Sequence, residues 1–176
     1  FDSHWVNYLK KKNKINILKQ TIKNILIPLR FFSPQGISKN PDEPFLYTFE
    51  ESLYFLNIIE NFVADQEEDF NLILKPHPKT NSFYVQQLIK ELKYKNWNYS
   101  YDSFYNLLPK TDVFVSSFTT SIFLPIAFKI PILIVESNTQ AYVENWKVLH
   151  SLYNNLMIKC PIKDFEKSFK MILENE

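Results

Sequence analysis

Asn71-Leu72-Ile73-Leu74-Lys75-Pro76-His77-Pro78 is the stretch on which the reading of this chain turns. Three apolar residues in a row are too few for a helix and show no alternation. Two prolines close the run, each locking φ and biasing the residue before it to extended backbone. This is the pattern of a short strand buried on both faces, as in the middle of a parallel sheet. Ile132-Leu133-Ile134-Val135, entered through Pro131, repeats it. Further strands are expected at residues 45–47, short and buried, at 97–101, weaker, and at 113–115, and 131–135 is the last clear one.

Helical periods fill the gaps between these runs. Leu53, Leu56, Ile59 and Val63 fall on one helical face, and Thr48 with Glu51 forms a capping box ahead of them. Val85, Leu88, Ile89 and Leu92 mark a second helix over residues 82–94. Asp102 is expected to cap a short helix through Leu107 and Leu108. Asp164 opens a closing helix with Phe165, Phe169, Ile172 and Leu173 inward. Strands alternating with helices of this length predict βαβ units, hence an α/β fold: an open, doubly wound, Rossmann-like parallel sheet flanked by helices. Ligands of such sheets sit beyond the carboxyl ends of the strands.

The fold is expected to occupy residues 45–176. Residues 33–44, with Pro34, Gly36, Pro41 and Pro44, read as a linker. Residues 1–32 read as a basic helical segment, with Trp5, Leu9, Ile15, Leu18, Ile22, Ile25 and Leu26 as its apolar positions. That segment holds seven Lys or Arg against the single acid Asp2, while the remainder has a net charge of −5. The asymmetry suggests a helix packed between domains, or one resting on anionic lipid at the inner face of a membrane. Nucleic acid is not expected as a partner, because the body is acidic and carries no recognition motif. The chain starts at Phe1 without a secretory leader and is expected to be part of a longer, cytoplasmic protein. No apolar run is long enough to span a bilayer.

Composition removes several chemistries. One cysteine, Cys160, cannot build an internal disulfide framework or a zinc ribbon, and three scattered histidines have no ligand spacing. No metal or cofactor is expected. The single glycine, Gly36, excludes every glycine-rich phosphate loop. A phosphate-binding version of this fold must therefore use another device.

Two segments at strand ends supply one. In Lys75-Pro76-His77-Pro78 the prolines stiffen the backbone and aim His77, whose imidazole can donate to a phosphate oxygen. Lys75 or Lys79 adds positive charge. In Ser116-Ser117-Phe118-Thr119-Thr120-Ser121, five of six residues carry hydroxyls where a helix is expected to open. Plain capping needs one hydroxyl. Five suggest a bound anion at a helix start. Glu136, at the end of the last clear strand, either accepts from ribose hydroxyls or only terminates the strand. Tyr47, Thr48 and Phe49 are placed to reach a base. For Tyr84, Phe104, Tyr105, Phe123 and Tyr153 core packing is expected. His150 has no chemical neighbour in the sequence, and Tyr142 and Trp146 are assigned to a returning helix.

Lys75-Pro76-His77-Pro78, then Asp112-Val113-Phe114-Val115-Ser116-Ser117, then Ala127-Phe128-Lys129-Ile130-Pro131-Ile132 resembles the C-terminal domain of certain bacterial GT-B transferases. These are the sialyl- and polysialyltransferases with HP and SS motifs, the capsule Kdo transferases and the CDP-glycerol glycerophosphotransferases. The resemblance covers roughly residues 45–136. It implies a cytidine-nucleotide donor, CMP-sugar or CDP-glycerol, and a saccharide acceptor, in the synthesis of capsule or lipooligosaccharide. It places His77 and Pro78 by the donor phosphate and ribose, His77 in a catalytic role. Ser116 and Ser117, with Thr119 and Thr120, would hold the phosphate or the carboxylate-bearing end. The chain departs from the family where Lys129 or Ile130 replaces the usual glycine before Pro131. No residue among 1–44 matches the family's Asp or Glu general base, so the chain is expected to bind the donor while lacking part of the catalytic apparatus. Competing expectations are a nucleotide-sugar epimerase of similar fold and a non-catalytic module that binds a protein.

Overall fold

The computed structural model describes residues 23–29, 49–67, 69–116, 120–136 and 157–174. They form one six-stranded, wholly parallel sheet. The strands are β1 (Lys23–Pro28), β2 (Phe70–Lys75), β3 (Trp97–Tyr99), β4 (Val113–Ser116), β5 (Ile132–Glu136) and β6 (Met157–Pro161). Their spatial order is β3-β2-β1-β4-β5-β6, the doubly wound arrangement in which the chain reverses direction across the sheet between β1 and β4.

Helices cover both faces. On one, α1 (Phe49–Ala64), α2 (Ser82–Glu91) and α5 (Phe165–Glu174) pack over Ile25, Ile27, Leu72, Leu74, Val115 and Leu133. Phe62, Phe165 and Phe169 interlock there, with ring centroids 5.0–5.9 Å apart. On the other face lie α3 (Phe104–Leu107) with the 3-10 turn Leu108–Lys110 that continues it, and α4 (Phe123–Phe128). They pack over Leu26, Phe114, Ile132 and Ile134. The alternation within each strand is the two-residue period of a pleated sheet buried on both sides.

The helical expectation for residues 1–32 is corrected at Lys23–Pro28. These residues form β1, with Ile25, Leu26 and Ile27 fully buried. Ile22, Ile25 and Leu26 have helical spacing, but a short apolar run buried on both faces fits either structure by periodicity. Asn24 and Pro28 bracket this run, and it pairs with β2 along its whole length. The basic residues Lys10, Lys11, Lys12, Lys14 and Lys19 lie outside the described residues, as do the strand expected at 45–47, the linker and Thr48.

The strand β6 extends the sheet past the last strand expected. Only Met157 and Cys160 of it are buried, while Lys159 is exposed, as suits an edge strand protected by charge. The second helix ends at Glu91 rather than Tyr94. Asp102 does not cap α3; Ser103 holds the N-cap position, without a side-chain bond. Glu60 pins the connection after α2: its Oε2 accepts from the backbone N–H groups of Lys93 and Tyr94 and from Trp97 Nε1, at 2.9–3.1 Å.

Candidate functional site at the carboxyl edge of the sheet

The registers align the strand ends. Lys75 pairs with Pro28. The β1–β4 register, continued two places from Leu26↔Phe114, sets Pro28 level with Ser116, and Ser116 pairs with Ile134. Lys75, Pro28 and Ser116 thus form one row across the β1/β4 switch point. Neighbouring strands are about 4.8 Å apart, so Lys75 and Ser116 are separated by roughly 10 Å of sheet. Lys75 and Ser116, the first residue of each motif, thus stand at the edge where doubly wound sheets bind ligands.

The tip of the β2 connection is stiff and exposed. Pro76 is buried, while His77, Pro78 and Lys79 stand in solvent. The Thr80 N–H donates to the His77 carbonyl at 2.8 Å, closing a tight turn. The Lys79 N–H donates to His77 Nδ1 at 3.1 Å. An Nδ1 that accepts a bond carries no proton, so the neutral ring carries it on Nε2, as a donor. Loss of solvent, then the charges of Lys79 and Lys75, hold the His77 pKa below its ordinary value of 6.5. His77 is therefore held toward the neutral form, with its proton on Nε2.

Lys75 is placed differently from its neighbour. It is buried, with Nζ 5.0 Å from the centroid of the Phe104 ring. Burial lowers its pKa, and the charge of Asp102 acts in the opposite direction. Its charge reaches His77 through the protein rather than from an exposed ammonium. Ser116 is fully buried at the end of β4.

The hydroxyl segment departs from expectation. Ser116 belongs to β4, Thr120 opens a 3-10 turn (Thr120–Ile122), and the α-helix starts only at Phe123. The α4 N-cap is Ile122, which has no side chain able to cap. Ser117 and Thr119 lie outside the described residues, as do Tyr47, Tyr142, Trp146, His150 and Tyr153. Among the described residues the segment is a strand end at Ser116 and a 3-10 turn from Thr120. The start of α2 is also occupied, since the Asn81 side chain accepts from the Phe83 N–H at 2.9 Å.

Glu136 is the last residue of β5. Phe49 is the first residue of α1, not the end of a strand. Tyr84, Phe104 and Phe123 are half-buried, as core packing requires, whereas Tyr105 is exposed. Directly after β1, where dinucleotide folds carry their glycines, the chain reads Leu29-Arg30-Phe31-Phe32-Ser33-Pro34, so that fingerprint is absent at the switch point itself. Thr80 Oγ1, at the end of the turn closed on the His77 carbonyl, is buried without a hydrogen-bond partner, and nothing in the sequence signals a stranded hydroxyl there. Among the described residues no group of three or more His, Cys, Asp or Glu is arranged to hold a metal ion, and no helix is long and apolar enough to cross a membrane.

No family model matches the chain. No curated protein matches it significantly. Solved structures do resemble it. The wall teichoic acid polymerase TagF is 12% identical, with a TM-score of 0.47, over 98% of this chain and 40% of that one. A glycosyltransferase from Rickettsia africae ESF-5 is 16% identical, with a TM-score of 0.48, over 98% of this chain and 50% of that one. The chain thus spans half or less of the length of these structures.

Proposed function

We propose that this chain is the donor-binding half of a bacterial GT-B glycosyltransferase, probing a cytidine-activated donor at the carboxyl edge of its sheet. The donor is a CMP-activated sugar such as sialic acid or Kdo, and the acceptor is a hydroxyl of a surface glycan. The observation that supports the reading is that Lys75 and Ser116, which begin the two glycine-free motifs, end strands on either side of β1 at the switch point.

In the reaction the acceptor oxygen attacks the anomeric carbon from the face opposite the phosphate. The bond from that carbon to the phosphate oxygen breaks, and its electron pair leaves with CMP. The acceptor proton passes to a carboxylate of the other half of the transferase, not supplied by this sheet domain. His77 donates from Nε2 to the departing phosphate, where negative charge accumulates. Ser116, Ser117, Thr119 and Thr120 line the other side of the phosphate, Lys75 adds its field from below, and Glu136 meets the ribose.

Thermal unfolding with CMP, CDP, UMP, UDP, ADP and GDP tests this. A nucleotide at about 100 times its dissociation constant stabilises by roughly 2.7 kcal/mol. Stabilisation by cytidine nucleotides alone, lost in His77→Ala, is the expected result. Preference for CDP over CMP would move the donor to CDP-glycerol. No response to any nucleotide would overturn the proposal.

A further inference from the structure

Tyr99 and Tyr101 are half exposed, 47% and 49%, and meet edge to face with centroids 6.1 Å apart. Tyr99 pairs with Leu74 at the carboxyl end of β2. The Ser100 N–H donates to the Leu74 carbonyl at 2.9 Å, carrying the pairing one step further. Tyr101 therefore leaves the sheet beside Pro76, one strand, or about 4.8 Å, from the connection that bears His77. The segment is held: Asp102 N–H donates to Ser100 Oγ at 3.1 Å.

The chemistry of this patch is selective. Between Lys95 and Lys110 the only charged residue is Asp102. Lys95 is itself paired with Asp69 at 2.9 Å. The charge that this segment itself carries, the carboxylate of Asp102, is one that anionic lipid and nucleic acid avoid. The patch offers two aromatic faces, two phenol hydroxyls and a carboxylate. Burial and the neighbouring Tyr99 raise the Tyr101 pKa, so its hydroxyl stays a protonated donor. Tyrosine gives a large, rigid contact with an apolar body and a polar tip, which suits a ligand with C–H faces and hydroxyl rims.

We propose that Tyr99 and Tyr101 form a stacking surface for a pyranose ring of the saccharide acceptor, with Asp102 accepting from its hydroxyls. The inference rests on the transferase reading and assigns its acceptor a place beside the donor edge. Stacking uses the C–H face common to hexopyranoses, so lacto-N-tetraose and chitotetraose are suitable probes.

The experiment is saturation-transfer NMR on the whole chain with each tetrasaccharide, with CMP and CDP stabilisation measured on the same samples. Tyr101→Ala and Tyr99→Ala are expected to weaken saccharide binding about fivefold or more, and Tyr101→Phe to keep most of it. Unchanged CMP and CDP stabilisation and unchanged melting of the free variants show that the loss is local. Absence of saccharide binding while CMP or CDP still stabilises overturns this surface and leaves the transferase reading intact. Saccharide binding that depends on the tyrosines without any nucleotide response supports the surface and overturns the donor reading instead. Broadening of both tyrosine rings by phosphatidylglycerol vesicles or by raised protein concentration, with none by saccharide, overturns the proposal in favour of a membrane or a second copy.

Discussion

His77 owes its state to its immediate surroundings, above all to the turn that follows it. The Lys79 N–H fills Nδ1, and loss of solvent followed by the charges of Lys79 and Lys75 disfavours the imidazolium. The unfolded chain binds this proton more tightly than the folded one. Stability therefore falls as pH drops from 6.5 toward the lower folded value, and the contribution is absent above 6.5. An NMR titration should place the His77 midpoint below 6.5 and show the Nε2–H tautomer at neutral pH. Lys79→Gln removes one of the causes, so it should move the midpoint part of the way back; an unmoved midpoint would show that Lys79 exerts no field there. The tetrapeptide itself was legible in the sequence, because two prolines around a histidine constrain backbone locally. The tautomer was not, since it depends on a turn geometry that residue types do not specify. Nor was the burial of Lys75 over Phe104, a contact between residues 29 positions apart.

Element boundaries show where local preference yields. Lys129 ends α4 in the left-handed region, at φ 58° and ψ 36°. Its N–H donates to the Ile126 carbonyl and the Ile130 N–H to the Pro125 carbonyl, each at 3.0 Å, the bond pair of a Schellman motif. That motif favours glycine, and the lysine accounts for the missing glycine noted in the sequence: the conformation is retained and the Cβ is tolerated. Lys129→Gly should raise unfolding free energy by about 0.5–1 kcal/mol, the left-handed cost removed exceeding the added freedom of the unfolded chain. Urea unfolding of Lys129→Gly beside Lys129→Ala measures it, with alanine near the parent; a less stable glycine variant would mean that the lysine stem contributes packing. Long periodic helices such as α1 were readable from spacing. The 3-10 turn at Thr120–Ile122 was not, because a run of Ser and Thr is equally suited to a cap, a turn or a strand end.

At the scale of the molecule, β1 is the strand on which both halves depend. It pairs with β2 over Lys23–Pro28 and with β4 through Ile25 and Leu26, and its side chains enter both cores. Removing residues 1–29 leaves β2 and β4 without their shared neighbour. The truncated protein is therefore expected to lose the cooperative thermal transition and dispersed NMR spectrum of the whole chain. A truncated form that folds natively would show that β2 and β4 can close the gap. The α/β class, the parallel sheet and the two unusual strand ends could all be read from the chain alone, because they depend on short apolar runs, helical periods and proline, which act within a few residues. Tertiary structure alone decided that Lys23–Pro28 is a central strand, that Met157–Pro161 closes an edge, and that β1 lies between β2 and β4. Those outcomes depend on which distant segments share a hydrogen-bonded ladder, and an apolar run buried on both faces carries no mark of its neighbours.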